Sequence, residues 1–77
     1  MREIKVKRLY RHFKGNFYYV HDIAEHTETG EKFVVYQALY GDNKMYVRPL
    51  DMFREEIDSS REDNITNQKY RFELYEG

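Results

Sequence analysis

Apolar and polar residues alternate along most of this chain, and a period of two is the signature of half-buried strands. Arg8 to Phe13 reads as a first strand, ended by a turn at Lys14-Gly15-Asn16. Phe17 to His26 reads as a second strand whose parity breaks midway. Tyr18 and Val20 share one face, whereas Ile23 falls on the other. A bulge near His21 and Asp22 repairs that register and bends the strand. Thr27 to Gly30 reads as a hairpin connection. Glu31 to Tyr40 is a third strand, with Val34, Tyr36, Ala38 and Tyr40 on one face and Phe33, Val35, Gln37 and Leu39 on the other. Two apolar faces mark it as the expected central strand.

Gly41 to Lys44 is a second hairpin loop, followed by a short strand Met45 to Arg48, with Pro49 ending ladder donation. Leu50 to Ile57 fits two patterns equally well. Apolar positions 50, 53 and 57 suit a helical face behind Pro49, and a turn followed by strand residues 54–57 suits them too. Residues 58–68 hold one apolar side chain, Ile65, and read as a mobile loop. Lys69 to Tyr75 alternates again, with Tyr70, Phe72 and Leu74 inward. The expectation is an all-β fold, or β with one short helical turn: a small SH3-like barrel of five to six antiparallel strands forming one domain over residues 1–77. Closure into a barrel removes the exposed edges that a flat sheet of this size would carry.

Composition narrows the setting. The chain has 77 residues, 40% hydrophobic and 35% charged, with no Cys. A domain this small buries only about 60% of the surface its unfolded chain exposes, so its core is thin, and no disulfide or thiolate zinc site can brace it. No apolar run approaches membrane-spanning length, and the first residues carry no signal-peptide pattern, so a cytoplasmic protein is expected. Eight Tyr and five Phe with no Trp are the unusual part of the composition. Rings suit strands and a thin core, and a Tyr in excess of core needs can serve as a surface stacking platform.

Charge is uneven although the net is -1. Residues 1–14 carry a local +5 and residues 51–63 a local -4. The two segments can attract one another or solubilise the domain, and the basic one can serve nucleic acid.

The order of several short pieces resembles a bacterial family known as domain of unknown function 1653. They are Tyr10-Arg11-His12-Phe13-Lys14-Gly15-Asn16-Phe17-Tyr18, Ala24-Glu25-His26-Thr27-Glu28-Thr29, Val34-Val35-Tyr36 with Leu39-Tyr40-Gly41, Val47-Arg48-Pro49, and Met52-Phe53. The resemblance spans residues 10–53 and implies a compact SH3-like β-barrel with no established activity, substrate or cofactor. Tyr46 stands where that family usually has Trp, Thr27 where Ser is usual, and Tyr70-Arg71-Phe72 lacks the Pro often found before Arg-Phe.

Candidate chemistry is sparse. His21 and His26 are five apart and so face opposite ways on a regular strand, which argues against a metal site. Glu25, His26 and Glu28 could form a base with orienting carboxylates, but a hairpin end with solvated charge describes them as well. Ser59 and Ser60 lie in the acidic loop with no His close in sequence, and no glycine-rich phosphate loop is present. A non-enzyme without a cofactor is expected. The constellation with chemical content is aromatic and basic: Tyr10 with His12, Tyr36 with Tyr40, and Tyr46 with Arg48, each pair sharing a face, plus Lys14 at the turn. Rings pack on apolar or planar groups, and Arg binds carboxylate or phosphate in a fork. Tyr10, His12, Lys14, Tyr36, Tyr46 and Arg48 are therefore the candidate binding residues, for a protein segment or small ligand. The alternative partner is single-stranded nucleic acid, held by the basic N-terminal segment.

Overall fold

The computed structural model describes residues 2–77, so the expected domain is described except for Met1. Five strands and one helical turn follow in the order β1 Arg8–His12, β2 Phe17–Glu25, β3 Lys32–Ala38, β4 Met45–Pro49, α1 Leu50–Phe53 and β5 Phe72–Leu74. They form a single antiparallel sheet in the order β4-β3-β2-β1-β5. The all-β reading with one short helical turn holds at this level. The ladder itself stays open, because β4 and β5 are its two edges.

The central strand is β2, not β3 as its two apolar faces suggested. β3 is flanked by β2 and β4, and its two faces differ: Val34, Tyr36 and Ala38 are buried, whereas Phe33, Val35 and Gln37 are only half-buried, so apolar faces do not report position in the sheet. At nine residues β2 is the longest strand, and its register shifts between Val20 and Asp22, at the expected bulge. The shift returns Ile23 to the core side, opposite Val34. It also adds local bend and twist, which a curled sheet requires.

The curl is visible in the core. Ile4, Tyr10, Val20, Val34, Tyr36, Phe53 and Phe72 form one buried cluster. Tyr36 on β3 and Phe72 on β5 are separated in the sheet by β2 and β1, yet their ring centroids lie 5.5 Å apart. Phe53 of α1 stacks face to face on Phe72 at 4.1 Å with planes only 4° apart. The turn that follows β4 thus packs on β5 across the core, while the two edges of the sheet remain unpaired with each other.

Residues 50–57 take a part of each alternative. Leu50–Phe53 is a single helical turn behind Pro49, closed by the Arg54 N–H donating to the Leu50 carbonyl at 3.1 Å. Glu56 then forms a β-bridge with Tyr70, flanked by hydrogen bonds from Ile57 N–H to Lys69 O and from Arg71 N–H to Glu55 O. The Arg71 guanidinium pairs with Glu55 across the same junction.

The last strand is shorter than the expected Lys69 to Tyr75. The Glu73 carboxylate accepts the N–H groups of Lys69 and Tyr70, which draws those donors away from a ladder. Residues 58–68 form successive turns whose end is tied to the sheet. The buried Gln68 side chain donates to Arg11 O and Tyr70 O, and Asn64 clasps the Gln68 backbone through its N–H and carbonyl. No helix among the described residues is long and apolar enough to cross a membrane.

Candidate functional site

At one end of the concave face, His12, Tyr18, Tyr36, Tyr40, Tyr46, Arg48 and Phe72 line a cup of about 160 Å³. Every strand contributes: His12 from β1, Tyr18 from β2, Tyr36 from β3, Tyr46 and Arg48 from β4, and Phe72 from β5, with Tyr40 just beyond β3. Alternation dictates which residues can arrive there. Tyr46 and Arg48 share a face of β4 and pair with Tyr36 and Val34 on β3, placing them on the core side of the sheet.

The rings brace one another. Tyr18 meets Tyr36, Tyr40 and Phe72 edge-on at 5.4–5.6 Å, a geometry favoured by the ring quadrupole. The Tyr18 and Tyr40 hydroxyls are 2.7 Å apart and share one hydrogen bond. Burial, and then that bond, hold the Tyr18 phenol above its ordinary pKa. Tyr46 lies tilted against Tyr36 at 5.8 Å and is exposed at the rim.

Arg48 supplies the charge. Its Nε donates to the Tyr36 hydroxyl at 3.2 Å, and its guanidinium sits 5.7 Å from the Phe72 ring centre. Among the described residues it has no carboxylate partner, in contrast to Arg54, Arg61 and Arg71, each of which pairs with an acid. The terminal nitrogens of a fork-shaped cation at the cup are therefore left free for an external acceptor.

His12 is fixed and uncharged. Its Nδ1 accepts the Lys14 N–H at 3.1 Å, which leaves Nε2 to carry the hydrogen of the neutral ring. Burial, followed by the nearby cations Arg71, Arg48, Lys14 and Arg61, pushes its pKa down to about 4.

Four of the six residues chosen from sequence, His12, Tyr36, Tyr46 and Arg48, are brought together. Tyr10 is not. It is 1% exposed, packs edge-on to Phe53, and its hydroxyl accepts the Lys5 N–H at 2.8 Å. Parity places Tyr10 and His12 on one face but says nothing about depth along it. Lys14 lies at the turn outside the cup, 3.8 Å from Asp63. Tyr18 and Phe72 were legible only as inward residues. Tyr40 shares the parity of Tyr36 and was the accessible signal.

Two larger hollows, of about 300 Å³ each, lie beside α1 and share Asp51 and Arg54. Asp51 and Arg54 neutralise each other at 2.6 Å, Glu55 is engaged by Arg71, Lys32 by Glu25 and Glu56 by Lys69; of the other lining charges, Arg2 donates to the Arg54 and Phe72 carbonyls, and Glu31 forms no ion pair among the described residues. At the β2–β3 hairpin, His26 Nδ1 accepts the N–H groups of Glu28 and Thr29, and Glu25 pairs with Lys32, so these groups serve the turn. His21 Nε2 donates to Gln37 Oε1 at 2.8 Å. Among the described residues no three His, Asp or Glu side chains gather as metal ligands would.

No curated protein matches the chain. Residues 8–74 match the family described as "Protein of unknown function (DUF1653)". The crystal structure of a protein of that family from Bordetella bronchiseptica is similar, with 32% identity and a TM-score of 0.75, over 100% of this chain and 92% of that one. The chain belongs to the DUF1653 family.

Proposed function

We propose that this protein is a small non-catalytic recognition module, a sheet rolled in the SH3-like manner, whose aromatic cup takes one acidic or carbonyl-bearing group from a protein segment. The observation that carries this reading is Arg48, bound to the cup wall through Nε and without a carboxylate partner among the described residues. Size favours a segment over a whole free ligand. Sites that enclose a small molecule run from roughly 300 Å³ upward, and the cup offers about half of that. One side chain fits, flanked by phenol rings and held by a guanidinium fork.

The test is a comparison of captured partners. A folded Tyr46→Ala/Arg48→Ala variant is expected to lose proteins retained by the wild type, and an identical set from both refutes the cup. Single-stranded nucleic acid is the second reading. Lys5, Lys7 and Arg8 favour it, being exposed and forming no ion pair among the described residues. It requires a mobility shift at low salt that fades steeply as salt rises.

A further inference from the structure

The two edges of the sheet differ. On β5, the carbonyl of Phe72 accepts Arg2 Nη2 at 2.6 Å, and Arg2 covers the adjoining Tyr70 ring at 4.1 Å. On β4 nothing comparable is present. Met45 is 52% exposed and Val47 65%.

The register shows which groups are free. The Ala38 N–H donates to Lys44 O at 2.9 Å, so residue 44 bonds inward to β3. Alternation of an antiparallel ladder then turns Tyr46 and Arg48 inward through their backbones, and turns Met45, Val47 and Pro49 outward. Pro49 fits this assignment, since its missing donor falls on the open side. The open edge presents two donors, at Met45 and Val47, and three acceptors, at Met45, Val47 and Pro49.

We infer that the β4 edge receives an extended acidic peptide as a sixth, antiparallel strand, with an Asp or Glu opposite Arg48. In such a pairing Tyr46 and Arg48 occupy the non-hydrogen-bonded positions, where facing side chains come closest. The added strand therefore lays alternate side chains against the cup while its backbone zips onto Met45 and Val47. Charge selects the occupant. Arg48 has no acid, and Lys44, just before β4 and of the same parity, forms no ion pair among the described residues. A second copy fits poorly. Pairing two β4 strands about Tyr46 sets Lys44 against Arg48 twice, and pairing about Val47 sets Met45 against the donor-less Pro49. The acidic preference rests on the cup as the recognition site; the strand pairing does not.

The probe is a phage library of random heptapeptides panned against the whole chain. Enriched sequences are expected to carry Asp or Glu at alternate positions. Methylating every second backbone nitrogen of such a peptide blocks one of its edges, so one methylated set should lose binding about tenfold or more and the complementary set should keep it. Val47→Pro removes only an outward donor and should weaken binding similarly. The methylated peptides carry the test if that variant fails to fold. Arg48→Ala should erase the acidic preference. Loss with Arg48→Ala but equal binding by both methylated sets overturns the edge and spares the cup; loss with one methylated set but none with Arg48→Ala does the reverse. No enrichment, enrichment of non-acidic sequences, or a dimer that Val47→Pro abolishes overturns the inference.

Discussion

Phe53 is the joint between the two ends of the sheet, and its truncation has a calculable cost. The side chain is fully buried, stacked on Phe72 at 4.1 Å and edge-on to Tyr36 at 5.2 Å and to Tyr10 at 5.7 Å. Those three partners sit on β5, β3 and β1, so no single local shift can fill the space it leaves. Phe→Ala in a core costs about 3–5 kcal/mol, and the value rises with the cavity that persists; the upper end applies here. A chain of 77 residues has a total stability of about 4–12 kcal/mol at typical values per residue. Phe53→Ala should therefore remove from about 40% to all of that stability at 25 °C, and Phe53→Leu should cost about 1–2 kcal/mol. Urea unfolding followed by far-UV circular dichroism measures both. Since Tyr36 rests on Phe53, the Leu variant should also loosen the cup wall while remaining folded. A cost below about 1 kcal/mol for Phe53→Ala would refute the idea that this ring holds the curl together.

The pH dependence of stability should carry the imprint of His12. Its pKa of about 4 in the fold lies below the usual value of about 6.5 for an unfolded His. Its contribution is therefore complete above about pH 6.5 and is lost as pH falls toward 4. Full burial would make that about 3 kcal/mol, and because the ring is only half-buried, about 1 kcal/mol is expected. His12→Asn keeps an acceptor for the Lys14 N–H, and its urea midpoint should fall less on acidification than that of the wild type; a His12 resonance titrating near 6.5 would contradict this. Gly15→Ala should lower the melting temperature. Gly15 has φ +104°, and an added Cβ would lie 3.1 Å from Ile65 Cδ1. Strain of about 1–3 kcal/mol corresponds to a fall of at least ~4 °C, and an unchanged melting curve would count against it.

Local order was legible wherever it depends on parity. The break between Val20 and Ile23 announced the bulge, and the shared faces of Tyr46 with Arg48 and of Tyr36 with Tyr40 announced the cup. What parity omits is depth and sheet order. Tyr10 and His12 have equal parity, yet one anchors the core and the other lines the cup. β3 has two apolar faces and still stands second in the sheet, because strand order is decided by contacts between distant segments. The shortening of β5 follows from Glu73 capturing two backbone donors, a competition between side chain and ladder that an alternating pattern does not encode.

The gathering of Tyr18, Tyr36, Tyr40 and Tyr46 in a chain without Trp makes the molecule its own optical sensor. Half of its eight phenols surround one small volume, and no indole is present to drain their excitation. Anything that enters that volume and disturbs the shared proton between Tyr18 and Tyr40 should alter ultraviolet absorption and emission directly. Ligands can thus be screened by light alone, without a label that would crowd so small a domain.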